Sequence, residues 1–247
     1  MLPRKSRSVV SDVRNYFFHQ PEVPTLIEFP SLAEREEYGK RILQRVGVDV
    51  DSYSVLNIHQ IGIDVPVRFA HEEIMLWSED SPFWPNHIAT IEAIEGNHEH
   101  ISIVLLGRAT RFLRRWLKRI VPGLGTLFRL TALNIQNEPH PSDLDNARFA
   151  LYECSGGYPI GIFFQYVRSP IESQGESKHS QIFFAVSFNF YGKEKWPRFA
   201  ARAWETIHNR VTSNILNRFK KLCEAEFRDY TSDTGIAKMV ASQIESS

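Results

Sequence analysis

The chain has 247 residues, in which 29 Lys and Arg residues balance 29 Asp and Glu residues, so the formal net charge at pH 7 is zero. Hydrophobic residues make up 43% of the sequence, which favours a globular over a disordered protein and allows one large domain or two small ones. The neutral total excludes a general electrostatic attraction to nucleic acid, so any such binding would need a local basic cluster.

The first 50 residues are predicted to form an arm and one helix. Residues 1–30 carry scattered aromatic and proline residues without a clear period, so we expect an arm that lies on the domain or is partly loose. Ser31 and Glu34 have the spacing of a capping box, and Gly47 is a typical helix end. This pattern predicts a helix over 31–47.

From Ser54 onward the hydrophobic period changes to two residues, which is typical of β-strands. The segment YSVLNIHQIGIDV predicts a first strand that ends at Pro66, and residues 67–77 predict a short helix. A hairpin that turns at 96–97 and four further strands follow. The glycine-rich stretch CSGGYPIG (154–161) lacks the Lys-Ser/Thr ending of a phosphate-binding loop and predicts a turn or bulge that bends the sheet.

The last predicted element is a long helix from Trp196 to about Phe227. Pro197 is tolerated in a first helical turn, and apolar residues recur at steps of three and four, which indicates one apolar stripe on a rod of about 45 Å. A rod of this length with one apolar side needs a broad partner, and the preceding strands can supply it. The residues of the predicted stripe are Ala200, Trp204, Ile207, Val211, Ile215, Phe219 and Leu222.

Three features resemble the helix-grip superfamily: the element order, the segment WSEDSPFWPNH (77–87) after the short helix, and the terminal amphipathic helix. This group, often called SRPBCC, includes START lipid-transfer domains, polyketide cyclase-like proteins and plant pathogenesis-related allergen-type folds. The resemblance covers roughly residues 54–227. It implies an α+β fold in which a curved seven-stranded antiparallel sheet wraps around the long C-terminal helix and leaves an apolar cavity.

The resemblance also divides the chain. Residues 1–50 are expected to form the N-terminal arm and helix, and residues 51–230 the ligand-binding domain. The segment 108–124 is an insertion into this domain, and residues 231–247 are expected to be a flexible tail.

The insertion RATRFLRRWLKRIVPGL (108–124) holds six cationic residues and no acidic one. At about 100° per residue, its apolar residues and its cations occupy opposite halves of a helix. This partition is typical of a helix that lies on an anionic membrane surface, and equally of a lid with solvated arginines; binding of nucleic acid or of a partner protein is a further alternative. The predicted membrane-contact residues are Arg111, Phe112, Arg115, Trp116 and Arg119.

The sequence shows no recognisable catalytic set and no metal site. His98 and His100 lack further ligands at a useful spacing for zinc, so we expect a solvated strand edge there. Cys154 and Cys223 are expected to be buried, reduced thiols in a cytosolic protein. We therefore expect no metal and no cofactor, and enzymatic activity is left open.

Polar and aromatic residues of the strands and the long helix are expected to line the cavity and to orient a ligand. Asn57 and His59, for example, share a strand face with Ile61 and Ile63 because side chains alternate along a strand. The predicted ligand-binding residues are Asn57, His59, Trp77, Trp84, Arg129, Tyr152, Phe164, Tyr166, Phe188, Trp204 and His208.

The residues and the resemblance together predict binding or transport of a hydrophobic small molecule, lipid-like or polycyclic, by a cytoplasmic or peripheral membrane protein. Its expected partners are this ligand and an anionic membrane surface, and not nucleic acid. Two alternatives remain open. One is a cyclase/aromatase-type enzyme that acts on a bulky apolar substrate in the same cavity, and the other is an interaction module whose insertion helix binds a partner protein.

Overall fold

The computed structural model describes residues 11, 14–45, 55–75, 89–93, 100–105, 129–137, 147–157, 162–170, 178–187 and 198–245. A π-helical turn at Arg14–Phe18 comes first. The α-helices are α1 (Leu32–Arg45), α2 (Val67–Met75) and α3 (Arg198–Glu245). The strands are β1 (Val55–Ile63), β2 (Ala89–Ala93), β3 (His100–Leu105), β4 (Arg129–Asn137), β5 (Ala147–Gly157), β6 (Ile162–Arg168) and β7 (Ser180–Ser187).

The strands form an antiparallel sheet in the order β1-β7-β6-β5-β4-β3-β2. The predicted α+β class with an antiparallel sheet and a C-terminal helix is therefore confirmed, and this arrangement fits a helix-grip fold. β2 and β3 pair as the predicted hairpin requires. Leu130 pairs with Gly157 but Thr131 pairs with Ser155, so Gly156 is the extra residue of a bulge, as the glycine-rich stretch predicted.

The register of the sheet decides which side chains face α3. Residues directly opposite each other in an antiparallel pair point to the same face. One row across the sheet contains Asn57, Val186, Phe163 and Tyr152, and the next contains His59, Phe184, Gln165 and Ala150. We call this the helix-facing side of the sheet, because Asn57 binds side chains of α3.

The N-terminal residues 14–30, which we call the strap, lie along the outer edge of β1. Ile27 N–H donates to Ile58 O at 2.9 Å, and Gln60 N–H donates to Thr25 O at 2.8 Å. The side chain of Asn217 in α3 accepts from Val23 N–H at 3.2 Å and donates to Val23 O at 2.8 Å. The arm predicted to lie on the domain is thus bound to both β1 and α3.

Beyond the strap, side chains of α3 bond with the outer edge of β1. Lys220 Nζ donates to Gly62 O at 2.7 Å, and Asp64 N–H donates to Glu224 Oε1 at 3.0 Å. With Asn57 near His208, these contacts show that α3 runs alongside β1 in the same direction. α2 covers the neighbouring strands β5, β6 and β7.

The far face of the sheet is covered by α1 and the end of the strap. Ile27, Phe29, Tyr38 and Ile42 pack against a buried cluster that includes Ile58, Phe149, Leu151, Phe164 and Ala185. The predicted capping box begins α1: Glu34 N–H donates to Ser31 Oγ at 3.2 Å, and Ser31 Oγ donates to Glu34 Oε1 at 3.2 Å. An ion pair of 2.8 Å between Arg35 Nη1 and Glu205 Oε1 joins α1 to α3.

α3 differs from the predicted long helix in its length and in its buried face. The helix was predicted to end near Phe227, but it continues through most of the predicted tail (231–247) and ends at Glu245. At 1.5 Å per residue it is about 72 Å long. Ile207 of the predicted stripe is 43% exposed. Phe219 of the stripe is buried as predicted, and Ile215 packs against the same cluster. Among the described side chains of α3, the other buried ones are Thr212, Ser213, Leu216, Asn217 and Cys223.

The physical reason for this rotated face is that the strap and β1 offer polar partners. Ser213 and Asn217 are buried because they hydrogen-bond with Thr25 and Val23 of the strap. A hydrophobic pattern assigns such residues to solvent. In the part of the chain that the structure describes, no helix combines the length and apolar character needed to cross a membrane.

We expect Asn217→Ala to lower the free energy of unfolding by about 2 kcal/mol, because it leaves Val23 N–H and C=O without their side-chain partner. Urea-induced unfolding would measure the loss. Lys221→Ala is the matched control, since it removes only an exposed pair with Glu22 between the same helix and the strap and should cost less than about 0.5 kcal/mol. Equal losses in the two variants would contradict a specific role of Asn217.

Candidate functional site

A buried polar cluster lies where β1, the strap and α3 meet. Asn57 is 0% exposed, and its Nδ2 donates to His208 Nδ1 at 2.9 Å and to Asn209 Oδ1. Thr212 contacts the same His208 nitrogen at 3.3 Å. One strand residue thus connects to two neighbouring side chains of α3.

The second histidine of the cluster, His59, is held by the strap. Its Nδ1 lies 2.8 Å from Thr25 Oγ1, and Thr25 donates its hydroxyl hydrogen to Ser213 Oγ at 2.8 Å. Because that hydrogen is used, the Thr25 oxygen accepts from His59, so the ring hydrogen is on Nδ1. In this neutral tautomer, His59 Nε2 is a hydrogen-bond acceptor.

In the part of the chain that the structure describes, three buried polar atoms in the rows of Asn57 and His59 have no hydrogen-bond partner. They are Asn57 Oδ1, His59 Nε2 and Gln165 Oε1, and Ser180 Oγ, in the row of Ile63, is a fourth such atom on the helix-facing side. His59 and Gln165 belong to one row and are separated by two strand spacings, which is about 10 Å. A buried polar group without a partner costs about 1–3 kcal/mol, so native proteins keep few of them.

Aromatic rings adjoin these polar atoms on the same side of the sheet. Tyr152 and Phe163 stack with ring centroids 4.5 Å apart and an interplanar angle of 13°. Phe163 also contacts Phe184, with centroids 5.9 Å apart, and Phe184 is only partly buried. The site therefore combines apolar ring surface with a few fixed polar atoms, which is the usual composition of a small-molecule site.

Burial keeps both histidines neutral. Burial, followed by the nearby His208, lowers the pKa of His59 from 6.5 to about 3, and the neighbouring side chain of Asn209 acts in the opposite direction. Burial likewise lowers the pKa of His208 to about 4. Neither imidazole carries a charge near pH 7, so the cluster is polar without being ionic.

The structure brings four of the predicted ligand-binding residues to the helix-facing side or to α3 beside it: Asn57, His59, Tyr152 and His208. Phe164 and Tyr166 differ from the prediction, because they lie on the far face among the residues that α1 covers. The reason is the register, which pairs Tyr152 with Phe163 and so gives Phe163 the expected position.

Other predicted residues lie outside the part of the chain whose side chains the structure describes. The predicted ligand-binding residues Trp77, Trp84 and Phe188 lie outside the described ranges. Arg129 lies in β4 and Trp204 in α3, and only their backbone is described. The predicted membrane-contact residues Arg111, Phe112, Arg115, Trp116 and Arg119 are also outside the described ranges.

Sequence reasoning missed Thr25, Gln165, Asn209 and Ser213. Gln165 could have been found from the sequence, because it is an amide residue in the strand IFFQYVR, in which apolar and aromatic residues surround it. Thr25 carries no local signal, since its position depends on the strap folding back onto β1. Ser213 and Asn217 share an i, i+4 spacing, which places both on one face of a helix.

A surface cleft of about 510 Å³ opens beside the cluster. Its wall consists of Val23–Ile27 of the strap, Gln60–Gly62 of β1 and Lys220 of α3. Thr25, which binds His59, is one of these wall residues, so the cleft and the polar cluster share a side chain.

The described residues offer little other chemistry. Cys223 is a buried free thiol, and burial together with the carboxylates of Glu73, Glu224 and Glu226 raises its pKa to about 12. Such a thiol is a poor nucleophile at neutral pH. Among the described side chains, no group of three His, Cys, Asp or Glu residues could hold a metal ion.

No family model and no curated protein matches the chain. Solved structures with a similar arrangement include an aromatase/cyclase from a Streptomyces species, at 14% identity and a TM-score of 0.40, covering 68% of this chain and 92% of that one. The lipid transfer and protein localization domain of human StarD13 has 11% identity and a TM-score of 0.38, with coverages of 68% and 78%. Norcoclaurine synthase from Thalictrum flavum has 11% identity and a TM-score of 0.39, with coverages of 71% and 97%. Because these similarities are remote, we infer function from the site itself.

We expect the buried histidines to make the protein acid-sensitive. Their folded pKa values lie below 6.5, so between about pH 6.5 and pH 4 the unfolded chain binds more protons, and stability rises with pH across this window. The slope should be on the order of 2 kcal/mol per pH unit near pH 5. Urea unfolding at several pH values would measure it.

The double variant His59→Gln/His208→Gln should lose most of this slope. His179→Gln, which changes a histidine that is exposed and bound to Asp64, should keep it. A wild-type slope in the double variant would show that other groups cause the acid sensitivity.

Proposed function

We propose that the protein binds a hydrophobic small molecule between the helix-facing side of the sheet and α3, in a sheet that curves around the helix. The observation that supports this most directly is the set of three buried polar atoms without hydrogen-bond partners beside the partly buried ring of Phe184. Near the C-terminal end of β1, the space between the sheet and α3 is filled by side chains, because Ile61 and Ile63 pack with Leu216 and Phe219 in one cluster. The polar half, at Asn57 and His59, is where we place the polar end of the ligand.

The energetics favour a ligand there. Three polar atoms without partners would together cost several kcal/mol, and a bound molecule whose polar groups reach them would remove that cost. The apolar part of the same molecule would gain about 25 cal/mol for each Å² of surface that it buries against the partly buried ring of Phe184. A small molecule with both kinds of surface matches the site.

The site favours binding over acid–base catalysis. A general base works best when its pKa is near the working pH, whereas the pKa values of His59 and His208 are about 3 and about 4. Both imidazoles are also engaged at Nδ1. A cyclase/aromatase-type activity remains the alternative, in which the site acts by positioning a substrate.

The sequence of 108–124 supports a second part of the proposal, which is that the protein takes up its ligand at an anionic membrane surface. Its cations would contact lipid phosphates, each contributing about 1 kcal/mol, while its apolar half would enter the acyl boundary.

We expect Phe184→Leu to weaken binding of the apolar ligand by about three- to tenfold, because it removes ring surface from the helix-facing side. The ligand would be identified by native mass spectrometry of the purified protein, and affinity would be measured with it or with the neutral fluorophore Nile red. Phe183→Leu is the matched control, since the adjacent residue packs on the far face against Tyr166.

Both leucine variants should lose about 1–2 kcal/mol of stability, so stability alone does not separate them. Equal affinity losses in the two variants would place the ligand elsewhere. A protein that retains no ligand and binds no neutral apolar probe would contradict the proposed function.

For the membrane part, we expect the triple variant Arg111→Glu/Arg115→Glu/Arg119→Glu to stop co-sedimenting with vesicles that contain phosphatidylserine, because charge reversal replaces attraction by repulsion. Arg41→Gln in α1 serves as the control, because it loses only an exposed pair of 4.0 Å with Glu37 in the same helix, whereas Arg35→Glu would break the 2.8 Å pair that joins α1 to α3. Undiminished sedimentation of the triple variant would rule out docking through this segment.

A further inference from the structure

The first turn of the strap is held on α3 by side chains that bind its carbonyl groups. Asn214 Nδ2 donates to Tyr16 O at 3.0 Å and to His19 O at 3.2 Å. Arg210 Nη1 donates to Phe17 O at 3.4 Å. The backbone of this part of the strap is therefore fixed on the helix, and a partner that contacts its side chains would lose little affinity to ordering of the chain.

Exposed apolar side chains cluster on this part of the molecule. Phe18 is 71% exposed although its neighbours in the strap are bound to α3, and Val23 of the strap is also exposed. Ile207, another exposed residue, precedes Asn214 by seven positions, so both lie on the same face of α3. We call the strap together with this face of α3 the strap side. Single exposed apolar residues are common, whereas a group of them indicates an interaction site.

The strap side is positively charged. Residues 206–223 of α3 contain four cations and no acidic residue, and residues 14–23 of the strap contain one cation and one acidic residue. Two of the five cations, Lys220 and Lys221, form ion pairs with glutamates. The cations that have no acidic partner among the described residues are Arg14, Arg210 and Arg218.

The other exposed large apolar side chains of the described residues have different surroundings. Leu32 is 66% exposed, but three glutamates follow it within five residues, and the one arginine among them is bound to Glu205. The ring of Tyr230 already contacts Phe69. Within the described residues, the strap side is therefore where exposed apolar side chains and cations without acidic partners occur together.

We infer that the strap side is a docking surface for an anionic lipid bilayer. Phe18 enters the boundary between headgroups and acyl chains, and the three unpaired arginines contact lipid phosphates. Apolar side chains flanked by cations are typical of proteins that bind such a surface. The partner is the one named in the proposed function, but the contact uses a different part of the chain from 108–124, so each can exist without the other.

The test is co-sedimentation of the full chain with vesicles that contain phosphatidylserine. Phe18→Ala should weaken binding by about three- to tenfold, because it removes the ring that enters the bilayer. Phe18→Trp should retain binding, since Trp favours the membrane interface. Leu32→Ala is the matched control, because it truncates a similarly exposed side chain outside the strap side. It should change affinity by less than about twofold.

The charge part is tested with Arg14→Gln/Arg218→Gln, which should weaken binding to these vesicles by about tenfold or more and leave binding to phosphatidylcholine vesicles unchanged. Arg41→Gln/Arg68→Gln is the matched control, since it removes the same number of cations from exposed pairs within α1 and α2. Equal losses in the two double variants would show that net charge, and not the strap side, determines binding, and would overturn the inference.

The remaining outcomes separate this inference from the proposed function. A loss in Phe18→Ala that is absent from Phe18→Trp and Leu32→Ala supports the inference. Undiminished binding of Phe18→Ala overturns it, while docking through 108–124 stands if the triple variant of that segment fails to sediment. If the wild-type chain does not sediment, both membrane contacts fail and the ligand-binding proposal stands. A protein complex that Phe18→Ala disrupts without changing vesicle binding would assign the strap side to a protein partner and also overturn the inference.

Discussion

The hydrogen bonds that fix the strap between β1 and α3 are the interaction on which the rest of the structure depends. Thr25 and Asn217 supply most of them, one from the strap and one from the helix. Because these bonds satisfy buried polar groups, they let α3 present a half-polar face to the interior without the cost of unpaired donors and acceptors. The position of His59 follows directly, since its ring nitrogen is held by Thr25.

The same arrangement separates the interface of α3 into two parts with different roles. Toward Phe219 and Cys223 the contact is apolar and closed, so it stabilises the fold. Toward His208 it is polar and neutral, and partly unsatisfied in the described residues. Such a division is common where a rigid scaffold supports a binding site, because polar groups that are costly for folding are retained for recognition.

Much of this fold could be predicted from the sequence, because its signals are local. The capping box at Ser31, the period of β1 and the shared face of Asn57 and His59 all depend on residues close together in the chain. The positions of Phe164 and Tyr166 could not be predicted, since alternation within one strand does not say which face meets the helix. The polar part of the buried face of α3 was missed because its partners are almost 190 positions away in the chain, and hydrophobic periodicity does not register them.

The outer edge of β1 is capped in two stages, first by backbone bonds from the strap and then by Lys220 and Glu224. An edge strand normally presents a row of open N–H and C=O groups that can recruit a strand from another molecule. Here those groups are already occupied at Ile58, Gln60, Gly62 and Asp64. In the folded chain, these contacts therefore hinder pairing of this part of β1 with a strand of another molecule.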